Sequence, residues 1–267
     1  MYHEKVESFK RLLDADENEQ VYQNFIEENS EFLPRHFMQN HGIHLQLFLR
    51  KLPLSSEYIS DFFFMSKSTD DWHYVMVEIE KPKSKFFKEG SNDLHRDFLA
   101  AVDQIKSWKA WFSQTANKSH FEQQLAFLKK PITNTPVYMK YILVFGRRSE
   151  IEESDLRLSR VKSYEDDDFK IMTFDSLCED IARKYPLYKG VKKSGYIEIH
   201  NENVLEPEMF SWVQPNEIQI KQALKDNLLL SYQTTLDSIN NSERPLKALA
   251  KSKYENLINK VSHIRVF

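Results

Sequence analysis

The 267-residue chain is poor in the residues that build several common sites. It has five glycines and no GxGxxG or GxxxxGK[ST] pattern, so a P-loop or dinucleotide-binding loop has nothing to form from. Its one cysteine, Cys178, excludes a disulfide framework and a cysteine zinc site. HExxH and GxSxG are both absent, although nine histidines are present. No apolar run approaches the roughly 18 residues of a membrane span. The N-terminal MYHEKVESFK has no secretory signal character. These absences lead us to expect a soluble, cytoplasmic protein with no membrane contact and no nucleotide cofactor.

What is present is enough for a packed core: 41% hydrophobic and 29% charged residues. The net charge of −3 argues against a strongly basic nucleic-acid binder, but it hides an asymmetry. Residues 1–80 hold 7 basic and 15 acidic side chains, a balance of −8, and residues 81–267 hold 30 and 25, a balance of +5. The basic excess peaks at Lys81, Lys83, Lys85 and Lys88, at Arg147–Arg148, and at Arg157, Arg160 and Lys162. Such patches are candidate phosphate contacts.

Apolar spacing predicts helices over 4–13 and 17–33, the second stopped by Pro34. Three strands follow. His44–Lys51 alternates, with Leu45, Leu47 and Leu49 on one face, while Glu57–Met65 and Trp72–Glu80 are rich in aromatic and β-branched residues. The polar Ser66–Asp71 segment joins the last two as a hairpin. A helix over 93–114 carries the stripe Leu94, Phe98, Ala101, Val102, Ile105, Trp108 and Phe112. Residues 116–136 hold a short helix and the loop prolines Pro131 and Pro136. Tyr138–Phe145 reads as a strand covered on both faces, and Phe169–Thr173 as another, with Asp175 as the N-cap of a helix over 176–184. This order predicts an α/β sheet with an antiparallel hairpin and one parallel crossover. Residues 205–267 read as a helical hairpin, its second helix opened by Pro245 and starting its stripe at Leu246. We therefore divide the chain at 204/205 into a catalytic-type domain and a helical extension. A short hairpin cannot bury two apolar stripes alone, so a second copy, making a two-fold homo-oligomer, is expected to cover them.

The most informative pattern is Asp61 on one hairpin strand and Glu78 and Glu80 on the next. If Ser68–Asp71 is the turn, Asp61 lies opposite Glu78, with Cβ atoms about 5 Å apart, and Glu80 shares the face. Like charges so placed raise a carboxyl pKa and invite an oxygen-seeking cation, Mg²⁺ or Mn²⁺.

Asp61, then Glu78-Ile-Glu80-Lys81-Pro82, then Gln104 on the following helix resembles the PD-(D/E)xK nuclease superfamily, most nearly the nuclease domain of the Shedu antiphage-defence proteins. Glu19–Leu33, Ser60–Phe62, Val77–Pro82, Gln104–Trp108, Leu143–Arg148 and Phe174–Leu177 are similar to that family's successive elements, over about residues 17–184. The resemblance implies an αβββαβ core and an Mg²⁺-dependent endonuclease acting on nucleic acid, with DNA the expected substrate, in defence against phage. It implies Asp61 and Glu78 as metal ligands, Glu80 in the third position, Glu19 as a further carboxylate near the metal, and Gln104 and Lys81 beside the reaction. Lys83, Lys85, Lys88, His95, Arg96, Arg147 and Arg148 are the candidate nucleic-acid contacts. The chain departs from the pattern at one point: Glu80 stands where the family usually has lysine, and Lys81 follows it. That departure leaves a second reading, a catalytically silent domain of the same fold that binds nucleic acid or a protein partner.

Overall fold

The computed structural model describes residues 2–130, 134–201, 207–241 and 248–267. Two helices lead, α1 (Tyr2–Asp14) and α2 (Glu19–Glu28). Strands β1 (Ile43–Pro53), β2 (Ile59–Lys67) and β3 (Trp72–Ile79) follow, then α3 (Arg96–Ser113) and α4 (Thr115–Leu125). Next come β4 (Val137–Val144), the short helices α5 (Arg148–Ile151) and α6 (Asp155–Lys162), and β5 (Phe169–Met172). The chain closes with β6 (Tyr188–Lys192), β7 (Ile197–Ile199), β8 (Ile218–Ile220), α7 (Gln222–Asn240), α8 (Ala248–Ser262) and β9 (Arg265–Val266).

All nine strands form one mixed sheet in the order β5-β4-β3-β2-β1-β6-β7-β8-β9. The β1–β2 and β2–β3 pairs are antiparallel, and β3–β4 and β4–β5 are parallel, so the expected α/β core with an antiparallel hairpin and a parallel crossover is present. The hairpin turn is Ser68–Asp71: the strands pair up to Lys67 and Trp72, and the Ser68 N–H donates to the Asp71 carbonyl at 3.0 Å. The Ser68 hydroxyl holds the Asp71 carboxylate at 2.8 Å and accepts from the Asp71 N–H at 3.1 Å, a local bonding pattern that sets the turn length.

Alternation then sorts the side chains. Phe62, Phe64, Val75 and Val77 pack on one face against Phe9 and Leu13 of α1 and Tyr22 and Ile26 of α2. Phe63, Met65, Tyr74 and Met76 pack on the other against Phe98, Val102, Ile105 and Trp108 of α3. The buried stripe read on α3 lies on that core. Gly146 ends β4 with φ 55°, where an added Cβ would lie 2.9 Å from the Ser84 carbonyl, so a side chain there meets both strain and a clash.

Two helices differ from expectation. The one read over 17–33 ends at Glu28 because Asn29 turns back, its backbone and side-chain N–H groups both donating to the Phe25 carbonyl at 2.9 and 3.0 Å. The helix over 176–184 is instead two 3₁₀ turns, Phe174–Cys178 and Ile181–Arg183. Asp175 does not cap, because its carboxylate accepts the Arg148 N–H at 2.7 Å and the Arg147 guanidinium at 3.1 Å.

Strands β6 to β9 were not foreseen. β7 pairs with β8 in parallel, so the sheet runs on into the C-terminal segment. The division point at 204/205, like Pro131, Pro245 and Leu246, lies outside the described residues. The apolar stripes of α7 and α8, expected to need a second copy, are covered within the chain over much of their length: Leu224, Leu228, Tyr232, Leu257 and Val261 are buried in the core that also holds Ile197, Ile218 and Ile220, whereas Leu249 stays exposed. Lys225 of α7 donates to the Ser262 and Ile264 carbonyls at 2.9 and 2.8 Å, tying the end of α8 to α7.

Leu228 is wholly buried between these elements. Leu228→Ala is expected to lower the unfolding free energy by about 2–5 kcal/mol in urea titration. A loss below about 1 kcal/mol would mean that α7 is not docked on the sheet.

Candidate active site

The site lies where the central hairpin runs out. The β2–β3 ladder is regular to Phe62 opposite Val77. One step further, Asp61 comes opposite Glu78, as the turn length predicted. The ladder does not continue there as backbone pairing. The Asp61 carboxylate takes the next rung instead, its Oδ2 accepting the Ile79 N–H at 2.8 Å. Asp61 is 4% exposed.

Its other oxygen meets a residue that the sequence had not singled out. Lys51 of β1 lies between the Arg50–Phe62 and Leu52–Ser60 pairs, which puts it directly across from Asp61. Its Nζ stands 2.5 Å from Asp61 Oδ1. Lys51 has φ 45°, a left-handed backbone inside a strand, which costs a non-glycine residue on the order of 1 kcal/mol or more.

On the other strand, Glu78 Oε1 accepts from Gln104 Nε2 of α3 at 2.6 Å. Gln104, which the resemblance placed beside the reaction, thus contacts one of the expected carboxylates. Glu78 Oε2 is buried and has no hydrogen-bond partner. Burial and then the Asp61 charge push the Glu78 carboxyl well above the ordinary glutamate range, against the Gln104 bond. Asp61 is also raised by burial, against its bonds to Lys51 and Ile79.

Glu80 leaves the strand with its N–H donating to the Val144 carbonyl at 3.0 Å. Burial, then the charges of Glu19, Asp61 and Asp97, push its carboxyl up to about 7. Glu19, at the start of α2, is raised by burial and by Asp61, and Gln23 one turn on donates to it at 2.6 Å. Gln23 is almost fully buried and its Oε1 has no partner. The sequence signal for it was available: Gln23 and Glu27 interrupt the buried face of α2 that carries Tyr22 and Ile26.

The structure therefore brings Asp61, Glu78, Glu80, Glu19 and Gln104 to one region. It does not bring three carboxylates into a ready ligand cluster: among the described residues, no group of three Asp, Glu, His or Cys side chains stands poised to hold a metal ion. Lys51 draws Asp61 aside and Gln104 holds Glu78. Asp61 and Glu78 nonetheless fit a hard divalent cation, which commonly takes one or two carboxylates and completes its shell with water and phosphate. The unpartnered Glu78 Oε2 and the mutual repulsion of these acids are what such a cation would relieve.

Lys81 is exposed, and its charge acts on Glu19 and Glu80. Lys83 reaches Asp16 at 3.7 Å, and Lys85 and Lys88 are exposed. His95 is the N-cap of α3, its Nδ1 accepting the Asp97 N–H at 3.3 Å, and Arg96 beside it is open to solvent. Arg147 and Arg148 are drawn into ion pairs within the chain. Arg147 binds Asp14 at 2.8 Å and Asp175 at 3.1 Å, and Arg148 binds Glu179.

The sequence profile described as Shedu protein SduA, C-terminal, matches residues 16–178. The chain belongs to the Shedu family. None of the curated proteins compared matches it. The Shedu match runs from just before α2 to the 3₁₀ turn after β5, and so spans every residue of the carboxylate site. Membership suggests a role in antiphage defence. No helix among the described residues is long and apolar enough to cross a membrane.

Glu80 binds its proton more tightly in the fold than in the unfolded chain, where 4.5 is the ordinary glutamate value. Its contribution to stability is then full below that value and is lost as pH rises through about 7. The metal-free Glu80→Gln variant is expected to gain melting temperature relative to wild type between about pH 5 and about pH 8. A constant difference across that range would show that Glu80 does not titrate there.

Proposed function

We propose that the chain is a divalent-cation-dependent nuclease that hydrolyses phosphodiester bonds in DNA as part of antiphage defence. The observation that carries this reading is the Asp61–Glu78 pair at the end of the central hairpin, with Glu78 held by Gln104. Two strands and a helix converge to place these three polar groups, and a structural role alone does not account for two buried carboxyls side by side, both raised by burial and Glu78 raised further by the charge of Asp61.

In this reading Asp61 and Glu78 hold Mg²⁺ or Mn²⁺, with Glu80 and Glu19 adding negative charge beside them. A divalent cation held there would supply polarisation of the phosphoryl oxygen and acidification of the attacking water. Gln104 fixes the rotamer of Glu78, so that one carboxylate oxygen stays directed into the site. Glu80 stands ready to accept a proton from the attacking water. That water's oxygen bonds to phosphorus, the bond to the leaving oxygen breaks, and the leaving oxygen takes a proton from solvent water.

Glu80 in the usual lysine position favours a second reading, a silent domain that binds nucleic acid without cutting it. The two readings separate in one assay. Wild type incubated with plasmid or linear DNA and Mg²⁺ is expected to cut, and EDTA to stop it. Asp61→Asn and Glu78→Gln are each expected to lower the rate by at least about a hundredfold, with circular dichroism unchanged. Cleavage that survives Glu78→Gln would place the activity elsewhere. DNA bound but left uncut by wild type in both Mg²⁺ and Mn²⁺ would establish the silent reading.

A further inference from the structure

The nuclease reading leaves the site short of a positive charge. Four carboxylates surround it, and the position that usually carries lysine is Glu80. Arg147 and Arg148 are committed to Asp14, Asp175 and Glu179. Arg50, next to Lys51 in β1, pairs with Glu27 at 3.0 Å. Lys81 is exposed, and none of its described contacts is with Asp61 or Glu78.

Lys51 is different on three independent counts. Its Nζ touches Asp61 directly, at 2.5 Å. It sits across from Asp61 in the β1–β2 register, so the contact is built into the sheet and does not depend on a loop. Its backbone is left-handed at φ 45° within a strand, a conformation that a lysine adopts only when the surroundings impose it. Its side chain is 39% exposed while that of Asp61 is 6% exposed, so the ammonium stands at the solvent side of the buried carboxylate. A phosphate approaching the Asp61–Glu78 pair would meet Lys51 at that boundary.

Resting on the nuclease reading, we infer that Lys51 supplies from β1 the cation missing from the β3 motif, holding Asp61 in the free protein and contacting a non-bridging oxygen of the scissile phosphate when substrate is bound. The strand pairing makes this possible. It sets Lys51 of β1 directly across from Asp61, although Lys51 precedes position 80 by 29 residues in the chain.

A purely structural counter-ion for Asp61 would behave differently from a group that contacts the phosphate, and a bound divalent cation separates the two. Mn²⁺ can neutralise Asp61 in place of the ammonium, but it cannot take the place of a second charge on the phosphate. The test uses full-length wild type, Lys51→Met and Lys51→Gln. The glutamine can still hydrogen-bond Asp61 and guards against failure of the methionine variant to fold. Mn²⁺ affinity is measured by titration calorimetry, melting temperature with and without Mn²⁺, and plasmid cleavage at saturating Mn²⁺.

The expected result is that both variants bind Mn²⁺ at least as tightly as wild type and recover its melting temperature when Mn²⁺ is bound. Both still cut about a hundredfold more slowly, the loss typical of one removed charge-stabilising group. Wild-type rates in the Mn²⁺-saturated variants would reduce Lys51 to a counter-ion and overturn the inference, leaving the nuclease reading intact. A rate lost only through weaker Mn²⁺ binding, and restored at higher Mn²⁺, would overturn it equally. Wild type that neither binds Mn²⁺ nor cuts DNA would remove both the nuclease reading and the role assigned to Lys51.

Discussion

The register of the β2–β3 hairpin is the constraint on which the site depends. A four-residue turn closed by Ser68 and Asp71 sets which residue of β2 faces which residue of β3. Seven residues further along each way, from Ser68 back and from Asp71 on, that register ends with Asp61 beside Glu78. A slip of one residue would send the carboxylates to opposite faces and put phenylalanines in their place. The core prevents the slip: Phe62 and Phe64 must reach α1 and α2 while Phe63 and Met65 reach α3. The hydrophobic alternation that stabilises the fold thus also aims the polar groups.

Electrostatics at the end of this hairpin are unusual for a folded interior. Buried carboxyls are costly unless paired, and here only Asp61 has a lysine. Glu78 relies on one amide, and Glu80 and Glu19 are raised by burial and then by their acidic neighbours. Other buried acids are paired: Glu27 on α2 meets Arg50 and Lys189, and Glu31 meets Lys5. The contrast sets the carboxylate region apart as a place where unfavourable charge is tolerated, a pattern common at functional sites.

The C-terminal segment has a plainer role in the fold. Its strand β8 extends the sheet beyond β7, and α7 and α8 bury their stripes against that extension. That burial takes up within the chain much of the apolar surface a second copy was expected to cover, with Leu249 left exposed.

Much of this was legible in the chain alone. The hairpin, its turn, the pairing of Asp61 with Glu78 and the buried face of α3 all follow from local rules. Strand alternation, helix periodicity and turn chemistry act over a few residues, so their consequences can be counted along the sequence. What the sequence could not determine involves partners far apart in the chain. Asp175 reads as a helix cap until Arg147 and Arg148 fold beside it and take its carboxylate. The helical tail reads as needing a second copy until β6 to β8 supply a sheet for it to pack against. Lys51 was the last residue of an ordinary alternating strand. The β1–β2 pairing shifts register between Ile43 and Phe48, an irregularity with no turn signature to announce it. Only that shifted pairing decides which residue of β1 faces Asp61, and so only the tertiary structure reveals that the residue is a lysine.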